Sequence, residues 1–217
     1  MRLATAVFAF AMVTVYLGLA VWAEGGFGAF AAHPSLIALA VVTYLFGFIS
    51  SFTPGSLSRG EREDTSNRWV IVAFSAIGLV DGFLPAWTDR HDLWTMGGDS
   101  IRPSGVVLFA VGCALRIAPV FVLGNRFSGL VAIQPDHRLE TGGLYKIVRN
   151  PSYDGLLITT FGWALAFRSW AGVVLTLLLI PVLISRMNAE ERLLSSQFGE
   201  AYESYRARTW RLIPWIY

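Results

Sequence analysis

Charged residues and cysteine are both scarce in this sequence. Only 15% of the 217 residues are charged, and the formal net charge is +2. Soluble domains carry about 25% charged residues, so an ordinary water-soluble domain is a poor description of this chain. A net charge this small, without a basic block, excludes a nucleic-acid-binding surface as the main function. The single cysteine, Cys113, excludes an intrachain disulfide and is expected to be a small buried apolar residue.

What the sequence has instead is long apolar runs. Hydrophobic residues make up 54% of the chain, and the mean hydropathy is +0.54. A membrane-spanning helix needs about 20 mostly apolar residues, and four segments meet or approach that length: Leu3–Ala23, Ser35–Phe52, Trp69–Trp87 and Gly105–Leu123. The first is too long for the core of a signal peptide, so we expect a retained helix. The sequence predicts an all-α, polytopic membrane helical bundle.

A fifth apolar block, Leu156–Ile184, is too long for one span and contains Arg168 near its middle. A charge in the bilayer centre is costly, so Arg168 is expected to mark a turn at a membrane surface. The block then becomes a helical hairpin with two short arms of roughly 12–15 residues, which reach about 18–22 Å.

Basic residues are distributed unequally between the predicted loops, and this predicts the orientation. If the N-terminus is cytoplasmic, three basic residues lie outside: Arg90, Arg102 and Arg168. Thirteen lie inside: Arg2, Arg59, Arg62, Arg68, Arg126, Arg138, Lys146, Arg149, Arg186, Arg192, Arg206, Arg208 and Arg211. Both termini are therefore expected in the cytoplasm, together with the two largest polar stretches, residues 125–150 and 186–217.

Three short patterns in these stretches favour a polar pocket at the membrane surface. Gly142-Gly143 permits a tight turn and close approach of the backbone to a ligand. Arg149-Asn150-Pro151 ends regular structure, and the free N–H groups of the helix that follows favour an anion. Arg186 and Glu190 are four residues apart and share a helix face.

Each pattern also has an ordinary interpretation. Gly142-Gly143 is then an ordinary loop and Arg149-Asn150-Pro151 a helix boundary. Arg186 and Glu190 are then a plain surface pair, worth about 0.3–0.5 kcal/mol. Arg116, about two turns from the inner end of its helix, either extends its side chain to the interface or has a role inside the bundle. The sequence leaves these alternatives open.

The order and spacing of the motifs resemble one family. The residues run Gly143-x-Tyr145, Arg149-Asn150-Pro151-x-Tyr153-x-Gly155, a hairpin, Arg186-x-x-x-Glu190-Glu191, and Phe198-Gly199-x-x-Tyr202-x-x-Tyr205. This pattern resembles the isoprenylcysteine carboxyl methyltransferase family and the related membrane phospholipid methyltransferases. The similarity covers roughly Gly105–Pro214. It implies two parts: N-terminal transmembrane helices over residues 1–104 and a methyltransferase core over residues 105–217.

The resemblance implies S-adenosylmethionine (SAM) as the methyl donor, in a cytosol-facing pocket. The implied donor contacts are Gln134, His137, Arg138, Leu139, Glu140, Tyr145, Asn150, Pro151, Ser152, Tyr153 and Glu190. Arg186 would hold the methyl acceptor, and Arg186, Glu190 and Arg149 are the expected catalytic residues; no metal site is expected. Asn150 stands where the prenylcysteine enzymes have histidine, and it cannot be a titrating base. Arg-Asn-Pro is the form that resembles the phospholipid methyltransferases.

The implied activity is methyl transfer to an amphiphilic or hydrophobic acceptor at the membrane surface. Carboxyl O-methylation is the leading expectation because Arg186 is retained. Lipid amine N-methylation, for which Glu190 or Glu191 would be the base, and thiol S-methylation are the alternatives. A small non-enzymatic membrane carrier is a further alternative. The spatial prediction common to the enzymatic interpretations is that Arg186 and Glu190 lie beside the segment Tyr145–Tyr153.

Overall fold

The chain is built almost entirely from α-helices. The computed structural model describes residues 3–52, 62–63, 65–124, 131–133 and 138–217. Its helices are α1 (Leu3–Ala23), α2 (Phe27–Ala31), α3 (Pro34–Ser50), α4 (Trp69–Arg90), α5 (Arg102–Leu123), α6 (Pro151–Ala166), α7 (Trp170–Phe198) and α8 (Glu200–Arg206). Two-residue strands β1 (Arg62–Glu63) and β2 (Ala132–Ile133) form an antiparallel pair. The predicted fold class is confirmed.

The predicted apolar segments coincide with the long helices. Helix α1 has the predicted bounds, and α4 and α5 each extend three residues beyond the predicted segment, at the C-terminus and the N-terminus respectively. Within the described residues, α1, α4, α5 and α7 are long and apolar enough to cross a membrane, and α3 is apolar but shorter, with 17 residues. The chain is an integral membrane protein.

The predicted hairpin is present, but one arm is much longer than expected. Helix α6 ends at Ala166 and α7 begins at Trp170, so the turn lies where the sequence placed it. Arg168 adopts a positive φ of 48° in this turn. The prediction of two short arms was wrong for α7, which has 29 residues and continues beyond the apolar run to Phe198. The length of an apolar run predicts only the membrane-embedded part of a helix. It does not predict a polar part that extends into water.

Residues 1–52, 75–114 and 156–179 form one compact unit. Its core includes Leu17, Phe30, Leu36, Leu39, Phe109, Trp163 and Phe167. Within this unit α5 and α6 approach closely at glycines: a Cβ on Gly105 would lie 2.3 Å from the Ala166 nitrogen, and one on Gly162 would lie 2.3 Å from the Phe109 nitrogen. Small residues permit such contact between membrane helices, where packing rather than water exclusion holds helices together.

A buried ion network joins α4, α5 and the α6–α7 turn in this unit. Asp89, fully buried, accepts hydrogen bonds from both terminal nitrogens of Arg102 and lies 2.8 Å from Arg168 Nη2. Arg102 also donates to the Ala166 carbonyl at 2.9 Å and to Asp99 at 2.8 Å. Pairing of two guanidinium groups with two carboxylates offsets the free-energy cost of removing these charges from water. An unpaired buried charge would have no such compensation.

Glu24 lies in the same unit, directly after α1, and only 4% of the residue is exposed. Its Oε2 atom has no hydrogen-bond partner among the described residues. Burial, reinforced by the negative charge of Asp89, raises the pKa of Glu24 to about 7.

The second compact unit consists of residues 53–74, 115–155 and 180–217. It contains the β1–β2 pair, and Asn67 Nδ2 donates to the Ser185 carbonyl at 3.4 Å. Helix α8 buries Tyr202 and Tyr205. This unit holds every described residue of the predicted site.

Candidate functional site

The first turn of α6 positions the Asn-Pro-x-Tyr motif. Pro151 is the first helical residue, a position where its missing N–H costs nothing and its fixed φ suits the helix. The Asn150 carbonyl accepts from the Tyr153 amide at 2.9 Å and from the Asp154 amide at 3.3 Å. Tyr153 therefore lies one turn inside a defined helix start, and its side chain is buried.

Tyr153, Arg186 and Glu190 form a closed hydrogen-bonded triangle. Arg186 Nε donates to the Tyr153 hydroxyl at 2.6 Å and to Glu190 Oε1 at 2.9 Å, and the Tyr153 hydroxyl donates to Glu190 Oε1 at 2.6 Å. Arg186 is only 7% exposed. Charges interact more strongly when they are shielded from bulk water. This ion pair is therefore stronger than the exposed surface pair considered from the sequence.

Glu190 uses one oxygen in this triangle and keeps the other accessible. Its side chain is 26% exposed, and within the described part of the chain Oε2 accepts no hydrogen bond. A carboxylate held on one side and accessible on the other can accept from an amine, an ammonium or a ribose hydroxyl.

Arg116 on α5 contacts the residue next to Tyr153. Its Nη1 donates to Ser152 Oγ at 2.8 Å and to the Ser152 carbonyl at 3.2 Å. In return, Ser152 Oγ donates to the Arg116 carbonyl at 3.2 Å. Arg116 is therefore half-buried and hydrogen-bonded to the start of α6.

Arg149 is engaged with the segment that follows α8. Its Nη1 donates to the Arg206 carbonyl at 3.0 Å and to the Thr209 carbonyl, and its backbone amide donates to the Trp210 carbonyl at 2.8 Å. Its Nε lies 3.5 Å from Glu191 Oε1. These contacts give Arg149 a role in fixing the C-terminal segment, and its expected catalytic role stays a prediction.

Further contacts tie the C-terminal segment to the predicted donor-binding residues. Asn150 Nδ2 donates to the Arg211 carbonyl at 3.0 Å, and Arg211 Nε donates to Glu191 at 3.0 Å. The Tyr205 hydroxyl donates to the Tyr145 carbonyl at 2.9 Å, and burial raises the pKa of Tyr205 to about 12, so it stays a protonated donor. The structure thus gives Asn150 a backbone contact at the position where the prenylcysteine enzymes have histidine.

The other residues predicted to contact the methyl donor are less buried or lie outside the described residues. Glu140 Oε1 accepts from the Gly142 amide at 2.9 Å, Arg138 is exposed and Leu139 is half-buried. Gln134 and His137 lie outside the described residues. Two clefts in this unit, of about 410 and 440 Å³, are bordered by Arg206 and other residues around the C-terminal segment, and neither is lined by the Tyr153–Arg186–Glu190 triangle.

The predicted proximity of Arg186 and Glu190 to the segment ending at Tyr153 is present in the structure. Two features were not predicted from the sequence. The Tyr153 hydroxyl is hydrogen-bonded to both members of the Arg186–Glu190 ion pair, and Arg149 is hydrogen-bonded to residues 206–210. Tyr153 and Glu190 are 37 residues apart, and Arg149 and Thr209 are 60 apart, so no local spacing could indicate either contact.

Comparisons of sequence with known proteins match the half of the chain that carries these motifs. A family model described as phospholipid methyltransferase matches residues 101–201. The protein-S-isoprenylcysteine O-methyltransferase of Schizosaccharomyces pombe is 34% identical over 118 residues, which cover 53% of this chain and 50% of that protein. A solved structure of a eukaryotic intramembrane Ras methyltransferase, isoprenylcysteine carboxyl methyltransferase, superposes on 95% of this chain and 75% of its own with a TM-score of 0.57 at 20% identity. The chain has the isoprenylcysteine carboxyl methyltransferase fold.

The resemblance stated from the motifs is thereby confirmed. The similarity in sequence is nevertheless partial, since the chain spans about half the length of the S. pombe relative. A steroid 5-alpha-reductase, DET2 of Solanum lycopersicum, is also 30% identical over 114 residues, which cover 52% of this chain and 41% of that protein. Sequence similarity over half of the chain is therefore shared by proteins with two different chemistries, and the isoprenylcysteine carboxyl methyltransferase fold itself is supported along nearly the whole chain.

Proposed function

We propose that this chain is an integral membrane, SAM-dependent methyltransferase that methylates a carboxylate of an amphiphilic acceptor, such as a prenylated cysteine. The observation that carries the proposal is the Tyr153–Arg186–Glu190 triangle. It joins the Asn-Pro-x-Tyr block to the Arg-x-x-x-Glu-Glu motif, the two segments on which the resemblance depends. The curated relatives named as isoprenylcysteine O-methyltransferases support the acceptor class.

The residues present fit a donor with a cationic, amine-bearing and hydroxyl-rich surface. Glu190 has an accessible carboxylate oxygen for an ammonium or ribose hydroxyl. Arg116 and Arg186 offer guanidinium groups for carboxylates. When bound, SAM supplies an electrophilic methyl group on a sulfonium.

The chain's own residues supply positioning. Arg186 would hold the acceptor carboxylate, whose ionised oxygen is already nucleophilic, so no general base is required for its methylation. Tyr153 and Glu190 fix the Arg186 guanidinium, and holding both reactants in line can supply about 7–11 kcal/mol in favourable cases.

Methylation of an amine is the second candidate, because Arg-Asn-Pro resembles the phospholipid enzymes and the family model bears their name. An amine must lose a proton, and the two predicted bases differ in the structure. Glu191 accepts from Arg211 and lies near Arg149, whereas Glu190 keeps an accessible oxygen. Glu190 would therefore be the base.

We further propose that both termini and the site face the cytoplasm. This orientation places thirteen basic residues on the cytoplasmic side and three on the outer side, and cytoplasmic loops of membrane proteins are rich in basic residues. In this arrangement the donor reaches the site from water and the acceptor from lipid.

The test is binding and transfer by the purified full chain in lipid nanodiscs. We expect calorimetry to detect binding of SAM but not of NADPH, and labelled SAM to methylate a farnesylated cysteine analogue in preference to phosphatidylethanolamine or a thiol. E190Q should weaken SAM binding at least tenfold, while E200Q, a matched change at an exposed residue of α8, should not. Wild-type protein that binds NADPH and not SAM would overturn the proposal.

A further inference from the structure

Residues 210–217, which we call the C-terminal turn, follow α8 and fold back on themselves. The Leu212 amide donates to the Tyr217 carbonyl at 2.8 Å, and the Leu212 side chain is buried. Trp215 and Ile216, by contrast, are 82% and 76% exposed, more than any other large apolar side chain in the described part of the chain. The C-terminal turn therefore has one side packed on the protein and one apolar side that the protein leaves uncovered.

The packed side of the C-terminal turn is fixed to α7 through Arg211. Its Nε donates to Glu191 Oε1 at 3.0 Å, its Nη2 donates to Asn188 Oδ1, and its Nη1 donates to the Tyr217 hydroxyl. Glu191 and Asn188 are both on α7, one turn apart. The C-terminal turn is therefore held at a defined height along this helix.

That height corresponds to the lipid headgroups. Helix α7 is long and apolar enough to cross a membrane, is mainly apolar as far as Ile184, and carries its first charge at Arg186. At 1.5 Å per residue, Asn188 lies about 6 Å and Glu191 about 10 Å beyond Ile184. The headgroups occupy roughly 5–8 Å on each side of the hydrocarbon core. A segment attached to Asn188 and Glu191 is therefore positioned at the bilayer surface.

The composition of the C-terminal turn suits this position. It contains two tryptophans and a tyrosine, the residues that are enriched at membrane–water interfaces. Residues 204–217 include three arginines and no acidic residue, and two of these arginines, Arg206 and Arg208, are exposed. Exposed aromatic and aliphatic side chains next to basic ones fit a lipid surface, and most closely one with anionic headgroups.

We infer that the C-terminal turn is a membrane anchor, which inserts Trp215 and Ile216 into the headgroup layer at the polar end of α7. Its partner is the lipid surface. The Arg149 amide donates to the Trp210 carbonyl at 2.8 Å, so the anchor also ties the segment before α6 to the bilayer. This inference goes beyond the proposed function and does not depend on it. The alternative is a second copy of this chain covering the same apolar side.

Spin labels on single cysteines measure the depth of the C-terminal turn. The background variant is C113A, which removes the one native cysteine, and the label is placed at I216C. A201C, at an exposed residue of α8, is the aqueous reference, because α7 ends about 21 Å beyond its apolar run. L79C, at an exposed residue of α4, is the lipid reference.

Power saturation in lipid nanodiscs that hold one chain then compares the accessibility of each label to O2 and to a water-soluble nickel chelate. We expect the ratio of O2 to nickel accessibility at I216C to be at least threefold higher than at A201C and to lie below that at L79C. Equal ratios at I216C and A201C would overturn the inference. Shielding of I216C from both reagents, with dipolar broadening in nanodiscs that hold two chains, would assign a second copy instead and overturn it too.

A charge on the inserted side gives a second measurement. With the label at I213C, an exposed residue of the same turn, W215E should lower the accessibility ratio at least twofold. S204E, which adds the same charge at an exposed residue of α8, should leave it unchanged. An unchanged ratio in W215E would contradict insertion. Wild-type protein that binds no SAM would refute the proposed function and leave all of these ratios unaffected.

Discussion

The hydroxyl of Tyr153 lies 2.6 Å from Oε1 of Glu190 and donates to it, while it accepts from Arg186 at the same distance. One neutral hydroxyl thus touches both members of a largely buried ion pair. It keeps the side chain of Arg186 in a single orientation, which is what a group that positions a carboxylate requires.

Removing that hydroxyl should reduce activity more than stability. Y153F deletes two hydrogen bonds to charged groups but leaves the Arg186–Glu190 contact at 2.9 Å. Because Arg186 and Glu190 keep each other as partners, the net loss of stability is about 1 kcal/mol. We expect kcat/KM for methyl transfer to fall at least tenfold and Tm by only a few degrees. Y44F, which removes a hydroxyl bonded to Thr14 at an exposed site, is the control. Wild-type kinetics in Y153F would contradict a positioning role.

Arg149 should control the order of the segment after α8. In R149K one ammonium cannot reach the Arg206 and Thr209 carbonyls while also facing Glu191. We expect amide hydrogen exchange over residues 206–211 to accelerate at least tenfold. The exposed R208K should leave exchange unchanged. Were exchange in R149K to match wild type, Arg149 would not be the residue that holds this segment.

Close packing of α5 on α6 makes Gly105 intolerant of a side chain. A Cβ there would meet backbone atoms of Ala166 at 2.3 Å, and backbone cannot rotate away. We expect G105A to lower the free energy of unfolding by about 1–3 kcal/mol. At Gly78 on α4 a Cβ meets nothing within 4 Å, so G78A should be neutral or stabilising. Thermal unfolding of the two variants in the same detergent gives the comparison, and equal Tm values would refute the packing argument.

Glu24 should make stability depend on pH in a particular direction. Its pKa is raised to about 7 in the folded protein, against an ordinary value of about 4.3 when unfolded. The folded state therefore binds the proton more tightly, and this contribution, complete below pH of about 4.3, is lost as pH rises toward 7. E24Q should match wild type near pH 5 and exceed it by about 1–2 kcal/mol at pH 8, after allowance for solvent screening. Tm measured at both pH values tests this, with E200Q as the control; a pH-independent difference would exclude Glu24 as the titrating group.

The sequence predicted the helices well because membrane spans are limited by length and apolarity. Leu3–Ala23 was assigned without error, and Arg168 marked the hairpin turn because charge is excluded from the bilayer centre. The length of α7 was underestimated because its polar half, from Ser185 onward, is stabilised by contacts such as Tyr153 to Glu190 rather than by lipid. A helix can therefore extend beyond the end of its apolar run.

For the site, motif order predicted which segments meet but not how they meet. Arg186 and Glu190 were expected near Tyr153, and the hydrogen bonds among the three depend on side-chain directions that spacing does not encode. Arg116 illustrates the same limit, since its position on α5 was compatible with either the lipid interface or the interior. The ion network of Asp89, Arg102 and Arg168 was not anticipated either, because Arg102 and Arg168 had been assigned only to the outer membrane surface, without partners.

The pairing of Arg62–Glu63 with Ala132–Ile133 and the bond from Asn67 to Ser185 matter for how this protein can be divided. A fragment cut at residue 105 would keep every motif that resembles a methyltransferase, yet it would lose one strand of the only ladder described here and the amide that meets Ser185. The limits of sequence similarity are thus not the limits of a unit that folds, and expression of the motif-bearing half by itself should yield an incomplete protein.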